Sequence, residues 1–265
     1  MTTSAKWEDL ARRTASGIAM AVVGLGAIWS GGAALAILAA IVTGLMIWEL
    51  AMMTAGARAR IAAPLLGLFA AGILYGAVTN HAAPVFLAAL ALPPVAAAIV
   101  ATRLRVAVLA YGTAILLTGY ALVAFRAGYG LGFVLWLVLL VVVTDVMGYF
   151  GGRLIGGPKF WPKVSPKKTW SGTLAGWAGA AVLAACFVLW AGAPAWLIGF
   201  SVIVAFASQL GDIAESAIKR RTGVKDSSNI LPGHGGVLDR FDGLIGAVTL
   251  LVLWGFVLPL PGFGG

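Results

Sequence analysis

The chain reads as a series of apolar runs joined by short polar connections. The runs cover about residues 14–30, 33–54, 61–79, 83–102, 105–125, 130–152, 172–191, 195–215 and 241–260. Each is close to the ~20 residues that an α-helix needs to cross a bilayer. None alternates apolar and polar residues as a transmembrane barrel strand does. The pattern predicts an all-α, polytopic integral membrane protein of about nine transmembrane helices. Pro93 and Pro94 fall inside the fourth run, where two missing backbone donors predict a kink or a break. Ahead of the first run, Trp7, Leu10 and Ala11 lie at helical spacing beside Lys6, Arg12 and Arg13, the pattern of a short interfacial helix or of a basic flank. The first run has no convincing cleavage site and is read as an uncleaved span.

Composition agrees with the pattern. Hydrophobic residues make up 61% of the chain, charged residues 10%, and the mean hydropathy is +1.01, which excludes an ordinary soluble domain. The net charge of +9 raises the possibility of nucleic-acid binding, but the placement of the charge argues otherwise. With the N-terminus in the cytoplasm, 17 of the 18 lysines and arginines fall on the cytoplasmic side and Arg126 alone falls opposite. This positive-inside asymmetry predicts a cytoplasmic N-terminus and an external C-terminus, with anionic lipid and nucleotide, not nucleic acid, as partners. The single cysteine, Cys186, lies in an apolar run and permits no intramolecular disulfide.

The polar chemistry divides the chain into residues 1–140, a set of about five spans with plain loops, and residues 141–265, where candidate site residues gather at cytoplasmic helix ends. In the first part Glu49 is the one acid within a span, placed where its side chain can reach the interface. In the second, Asp145 and Tyr149 share a helix face, and Gly148 and Gly152 form a small-xxx-small pair suited to close helix approach. The connection 157–173 offers Lys159, Lys163, Lys167 and Lys168 with Ser165, Thr169 and Ser171 ahead of a helix. Such a segment suits phosphate oxygens, or serves only to fix orientation.

The segment 208–243 holds five of the nine acids. Ser208, Asp212 and Glu215 fall on one helix face, and Asp239 and Asp242 on another. Asp212, Asp239 and Asp242 suit a hard cation bridging to phosphate; a helix–loop–helix closed by Asp–Arg and Glu215–Lys219 pairs is the alternative. His234 in the loop either transfers a proton, binds phosphate or shapes the turn, and Gly233, Gly235 and Gly236 allow tight backbone geometry.

The run Ser216-Ala-Ile-Lys219-Arg220, Lys225-Asp226 and Leu231-Pro-Gly-His234-Gly-Gly-Val-Leu-Asp239-Arg240-Phe-Asp242 resembles the signature of the phosphatidate cytidylyltransferases, the CDP-diacylglycerol synthases. SQLGDIAES and SPKKTWSG resemble that family's other motifs. The resemblance implies a polytopic helical enzyme of the inner membrane, with its site facing the cytoplasm. It would condense CTP with phosphatidic acid, giving CDP-diacylglycerol and pyrophosphate, with Mg²⁺, K⁺ as a second cation, and a homodimer. It implies Asp212, Asp239 and Asp242 as metal-binding carboxylates, with Asp145 a further candidate, and Lys219 and His234 at the reaction. Lys167, Lys168, Ser165, Thr169, Arg220, Lys225, Arg240, Gly235 and Gly236 become candidates for the phosphates of CTP and phosphatidate. Another phosphorylated lipid as acceptor and, in a different class, an anion transporter are the rival readings. A CDP-alcohol phosphotransferase is disfavoured, because Asp242-Gly243 is followed by no later acid.

Overall fold

The structure, a computed structural model, describes residues 3–80, 83–162 and 164–262. Lys163 and the side chains of Lys6, Trp7, Leu10, Ala11, Arg12, Arg13, Arg58 and Arg60 lie outside the described residues. Ten helices follow one another among the described residues: α1 (Thr3–Ser30), α2 (Gly32–Thr54), α3 (Ala59–Thr79), α4 (Pro84–Ala89), α5 (Leu92–Val100), α6 (Arg105–Gly128), α7 (Gly130–Leu154), α8 (Trp170–Ala191), α9 (Leu197–Thr222) and α10 (Leu238–Gly255). Between α7 and α8 stands a two-stranded antiparallel ribbon, β1 (Lys159–Trp161) and β2 (Ser165–Thr169).

Every apolar run contains helix. Six helices, α2, α3, α6, α7, α8 and α9, are long and apolar enough to cross a membrane, and Thr14–Ser30 and Pro84–Val100 are shorter apolar helical segments. The chain is a multi-pass, all-α membrane protein. The fourth run is divided, as its prolines require. α4 stops at Ala89, and Pro93 and Pro94 sit in the first turn of α5, where a helix has no use for their missing N–H groups. α9 runs past its apolar stretch to Thr222, with Glu215 and Lys219 paired one turn apart on its polar end.

The chain packs as two units, Met1–Val123 with Arg221–Phe241, and Ala124–Arg220 with Asp242–Gly265. In the first, α2 and α3 meet at a glycine crossing. A Cβ on Gly44 would stand 2.7 Å from the carbonyl of Gly67, and one on Gly67 would stand 2.8 Å from that of Gly44. Such backbone contact gains dispersion energy where lipid supplies no hydrophobic drive between helices. In the second unit, α7 and α8 meet likewise through Gly148, Gly152 and Gly172, with a Cβ at Gly172 falling 2.6 Å from the carbonyl of Gly148. The expected small-xxx-small pair is thus a packing device. Phe133, Trp136 and Phe200 fill the core of this unit, and the Trp136 indole donates to the buried Ser201 hydroxyl at 3.0 Å.

Gly44→Val is expected to overpack the α2–α3 crossing by about 1–3 kcal/mol, lowering the thermal unfolding midpoint in detergent. Gly24→Val, where a Cβ meets nothing within 4 Å, should leave it nearly unchanged.

Candidate active site

In the second unit α9 presents Asp212, Glu215 and Lys219 on neighbouring turns, and two glycine contacts bring α10 against it. A Cβ on Gly211 would collide with the carbonyl of Asp242 and come within 2.9 Å of Gly246, and one on Gly243 would lie 2.7 Å from Ser208 Oγ. The backbones therefore touch one residue away from Asp212 on α9 and at Asp242 itself on α10. Asp242 lies within electrostatic reach of Asp212, Asp145 and Lys219, and its Oδ1 accepts from the Gly243 N–H at 2.7 Å.

The basic connection comes to the same place. The two strands hold the Pro166-Lys167-Lys168 segment in an extended register, with Lys159 opposite Thr169 and Trp161 opposite Ser165. Lys168 reaches α9, its Nζ standing 2.6 Å from Asp212 Oδ2 and donating to the Gln209 carbonyl at 3.3 Å. Asp212 Oδ1 accepts from Ser216 at 3.2 Å. Gln209 is fixed in turn by the Trp177 indole at 3.1 Å. Thr169, a phosphate candidate from sequence, is buried and caps α8 by accepting from the Gly172 N–H at 3.2 Å. Ser165 is half-buried in β2, and Lys167 is exposed.

Lys219, expected near the reaction, is almost fully buried and pairs with Glu215, itself fully buried, at 2.7 Å. The helix–loop–helix thus does use the ion pair that the alternative reading foresaw. As they stand, no three His, Cys, Asp or Glu side chains among the described residues close round one ion. The donor set still suits a hard cation in kind: Asp145, Asp212 and Asp242 offer only oxygen, and gathering like charges raises the attraction for a cation.

In the first unit the loop between α9 and α10 is built round two carboxylates. Asp239 Oδ2 accepts from the Ser227 N–H at 2.9 Å, the Ser227 hydroxyl at 2.9 Å and the Gly236 N–H at 2.7 Å. Glu49 of α2, fully buried, accepts from the Ser228 hydroxyl at 2.5 Å and the Val237 N–H at 2.9 Å through Oε1. Through Oε2 it accepts from the Leu238 N–H at 2.6 Å and lies 3.2 Å from the Ser227 hydroxyl, whose single proton serves either this carboxylate or Asp239. A Cβ on Gly236 would collide with Ser227 Oγ and lie 2.5 Å from Glu49 Oε1, and Gly235 takes a φ of +84° that favours glycine.

At the tip of the turn, the Leu231 N–H donates to Gly235 and the His234 N–H to Leu231, both at 2.9 Å. Ser16 of α1 donates its hydroxyl to the Pro232 carbonyl at 3.1 Å and lies 2.9 Å from His234 Nδ1. With the serine proton directed at Pro232, Nδ1 is the donor to Ser16, which leaves Nε2 as the nitrogen for any further partner. Arg220, Lys225 and Arg240 are exposed. Sequence reasoning missed Ser16, Ser227 and Ser228 and gave Glu49 no part in the loop; these contacts join segments far apart in the chain, which spacing does not reveal.

The family model described as the cytidylyltransferase family matches residues 11–258. The chain belongs to this family. Proteins named phosphatidate cytidylyltransferase are similar to it. The one from Brucella abortus is 46% identical over 136 residues, which cover 50% of this chain and 50% of the relative. The one from Bacillus subtilis is 45% identical over 126 residues, 46% of this chain and 47% of the relative. The one from Staphylococcus aureus is 42% identical over 125 residues, 46% of this chain and 48% of the relative. The matched stretch spans about half the length of each relative.

The two ion pairs should respond differently to removal of the lysine. Lys168→Met breaks a pair whose side chains are 24% and 31% exposed, and is expected to cost no more than about 1 kcal/mol. Lys219→Met removes the ion-pair partner of the fully buried Glu215, and is expected to cost about 3–5 kcal/mol. Thermal unfolding in detergent compares them, and equal losses would show that burial does not separate the pairs.

Proposed function

We propose that this cytidylyltransferase transfers the cytidylyl group of CTP to phosphatidate, giving CDP-diacylglycerol and pyrophosphate at the cytoplasmic face of the inner membrane. The reading is carried by the contact of Lys168 with Asp212, 2.6 Å apart. It joins the two motif segments SPKKTWSG and SQLGDIAES, one bringing cations suited to phosphate and the other carboxylates suited to a metal. The naming of the relatives as phosphatidate cytidylyltransferases supports the choice of substrates.

In the reaction a phosphatidate oxygen attacks the α-phosphorus of CTP and forms the new P–O bond. The bond from that phosphorus to the α–β bridging oxygen breaks, and pyrophosphate leaves with the electron pair. The attacking phosphate monoester has a second pKa of about 6 and is largely dianionic near neutral pH, so no strong general base is required. The obstacle is the approach of two anions. Lys167 and Lys168, with Arg220, would reduce it by binding phosphate oxygens; within the other unit Lys225, Arg240 and the N–H groups of Gly233 and Gly235 are candidates for the same role. Asp212 and Asp242, with Asp145, would hold Mg²⁺, which would supply neutralisation of charge on the phosphates and the leaving group; the family resemblance adds K⁺ as a second cation. Asp239 is assigned to closing the loop through Oδ2. With Nδ1 donating to Ser16, His234 would offer Nε2 as the acceptor for a proton carried by a phosphate oxygen.

Lysine and arginine at helix ends meet a lipid head group that stays at the interface while its acyl chains remain in the leaflet.

Purified protein in detergent with phosphatidate and labelled CTP is expected to form labelled CDP-lipid only when Mg²⁺ is supplied. No product with several phosphatidates tried would shift the reading to another phosphorylated lipid, and then to anion transport. Asp212→Asn should lower the rate by at least the roughly 10–100-fold that outer-shell partners of a metal cost, and raise the Mg²⁺ concentration needed for half-maximal rate. An unchanged Mg²⁺ requirement would remove Asp212 from the metal set.

A further inference from the structure

Glu49 is the group that the proposed reaction leaves unused. It lies within α2, is 0% exposed, and is separated in sequence by 178 to 189 residues from the four groups within hydrogen-bond distance of it, the Ser227 hydroxyl being shared with Asp239. A carboxylate with no access to water needs donors, because burial without them costs far more than an ordinary hydrogen bond returns. Those donors come from both ends of one loop. Ser227 and Ser228 belong to its entry, and Val237 and Leu238 to its exit, where α10 begins and backbone N–H groups have no partner within the helix. A negative charge at a helix N-terminus is also favoured by the helix dipole. Glu49 thus clamps the entry and the exit of the His234 turn onto α2. Gly236 lies so close to Glu49 Oε1 that no side chain fits between them.

We propose that Glu49 is a positioning residue: its carboxylate sets the conformation of loop 227–238, and through it the competence of the Gly233–Gly236 turn to bind nucleotide phosphate. The second clause rests on the function proposed above; the first stands on the contacts alone. Glu49 touches no substrate in this scheme. Its influence passes through backbone amides that it holds in place.

The test is Glu49→Gln, which keeps the size of the side chain but, whichever way the amide turns, sets its –NH₂ against a backbone N–H, of Val237 or of Leu238, that can only donate. Amide hydrogen exchange in detergent, without substrate, is expected to quicken by about tenfold or more at Val237, Leu238 and neighbouring loop residues. The paired helices α7 and α8 should keep their protection. In the CTP and phosphatidate assay, KM for CTP should rise about tenfold, the low end of what lost outer-shell support costs, with a smaller fall in kcat. Glu49→Asp should recover part of the loss.

Unchanged exchange in the loop would overturn the proposal. So would a uniform loss of protection over all helices, since that marks a purely structural residue. If Glu49→Gln does not fold, Ser228→Ala decides: it removes one donor and leaves the carboxylate, and should quicken exchange in the same loop to a lesser degree. If the wild-type protein makes no CDP-lipid, the function reading fails and the exchange data alone decide the role of Glu49. A normal KM beside a loosened loop would remove the link between the loop and nucleotide binding.

Discussion

A carboxylate inside an apolar protein must have its charge answered, and this constraint orders the polar part of the structure. Glu215 is answered by Lys219, Asp212 by Lys168, Asp239 by the Ser227 and Gly236 N–H groups, and Glu49 by the Ser228 hydroxyl and the Val237 and Leu238 N–H groups, with the single Ser227 hydroxyl proton between the last two carboxylates. Each solution draws a particular segment to a particular helix. The ribbon is held to α9 because Lys168 reaches Asp212, and the loop 227–238 is held to α2 because its serines and amides meet Glu49. Acids also gather: Asp242 lies within electrostatic reach of both Asp212 and Asp145, with Lys219 nearby.

Glycine is what allows the acids to be where they are. Membrane helices gain nothing from excluding lipid, so close packing must come from backbone contact. The crossing of Gly211 with Gly246 brings α9 and α10 together beside Asp212 and Asp242, and that of Gly172 with Gly148 and Gly152 sets α8, and the ribbon leading into it, against α7. Helix packing and the placement of charge are therefore one problem in this protein. A residue with a side chain at Gly211 would separate the carboxylates as it separated the helices.

Much of this was legible in the sequence. The apolar runs located every long helix, Pro93 and Pro94 marked the division of the fourth run, and helical spacing put Asp212 and Glu215 on one face. The 157–173 connection was identified as basic, but its strands were not: each has only three or five residues, and the pairing of Lys159 with Thr169 depends on a turn that carries little periodic signal. The role of Glu49 was illegible for a different reason. Its partners are two ordinary serines and two backbone amides, which have no distinctive chemistry in sequence and acquire it only when folding places them round one carboxylate. Thr169 shows the converse, a residue whose type suits phosphate but whose hydroxyl is committed to capping a helix.

The contact between Glu49 and loop 227–238 also has a consequence for biogenesis. Synthesis proceeds at about 5–20 residues per second, so the span carrying Glu49 leaves the ribosome on the order of 10–40 s before the serines and amides that will receive it. During that interval α2 has an acid near its end and no loop to answer it. Closure of the last loop onto α2 then belongs to a late step of assembly. A nascent chain halted before residue 227 would hold its first spans with their most deeply buried charge still unmatched.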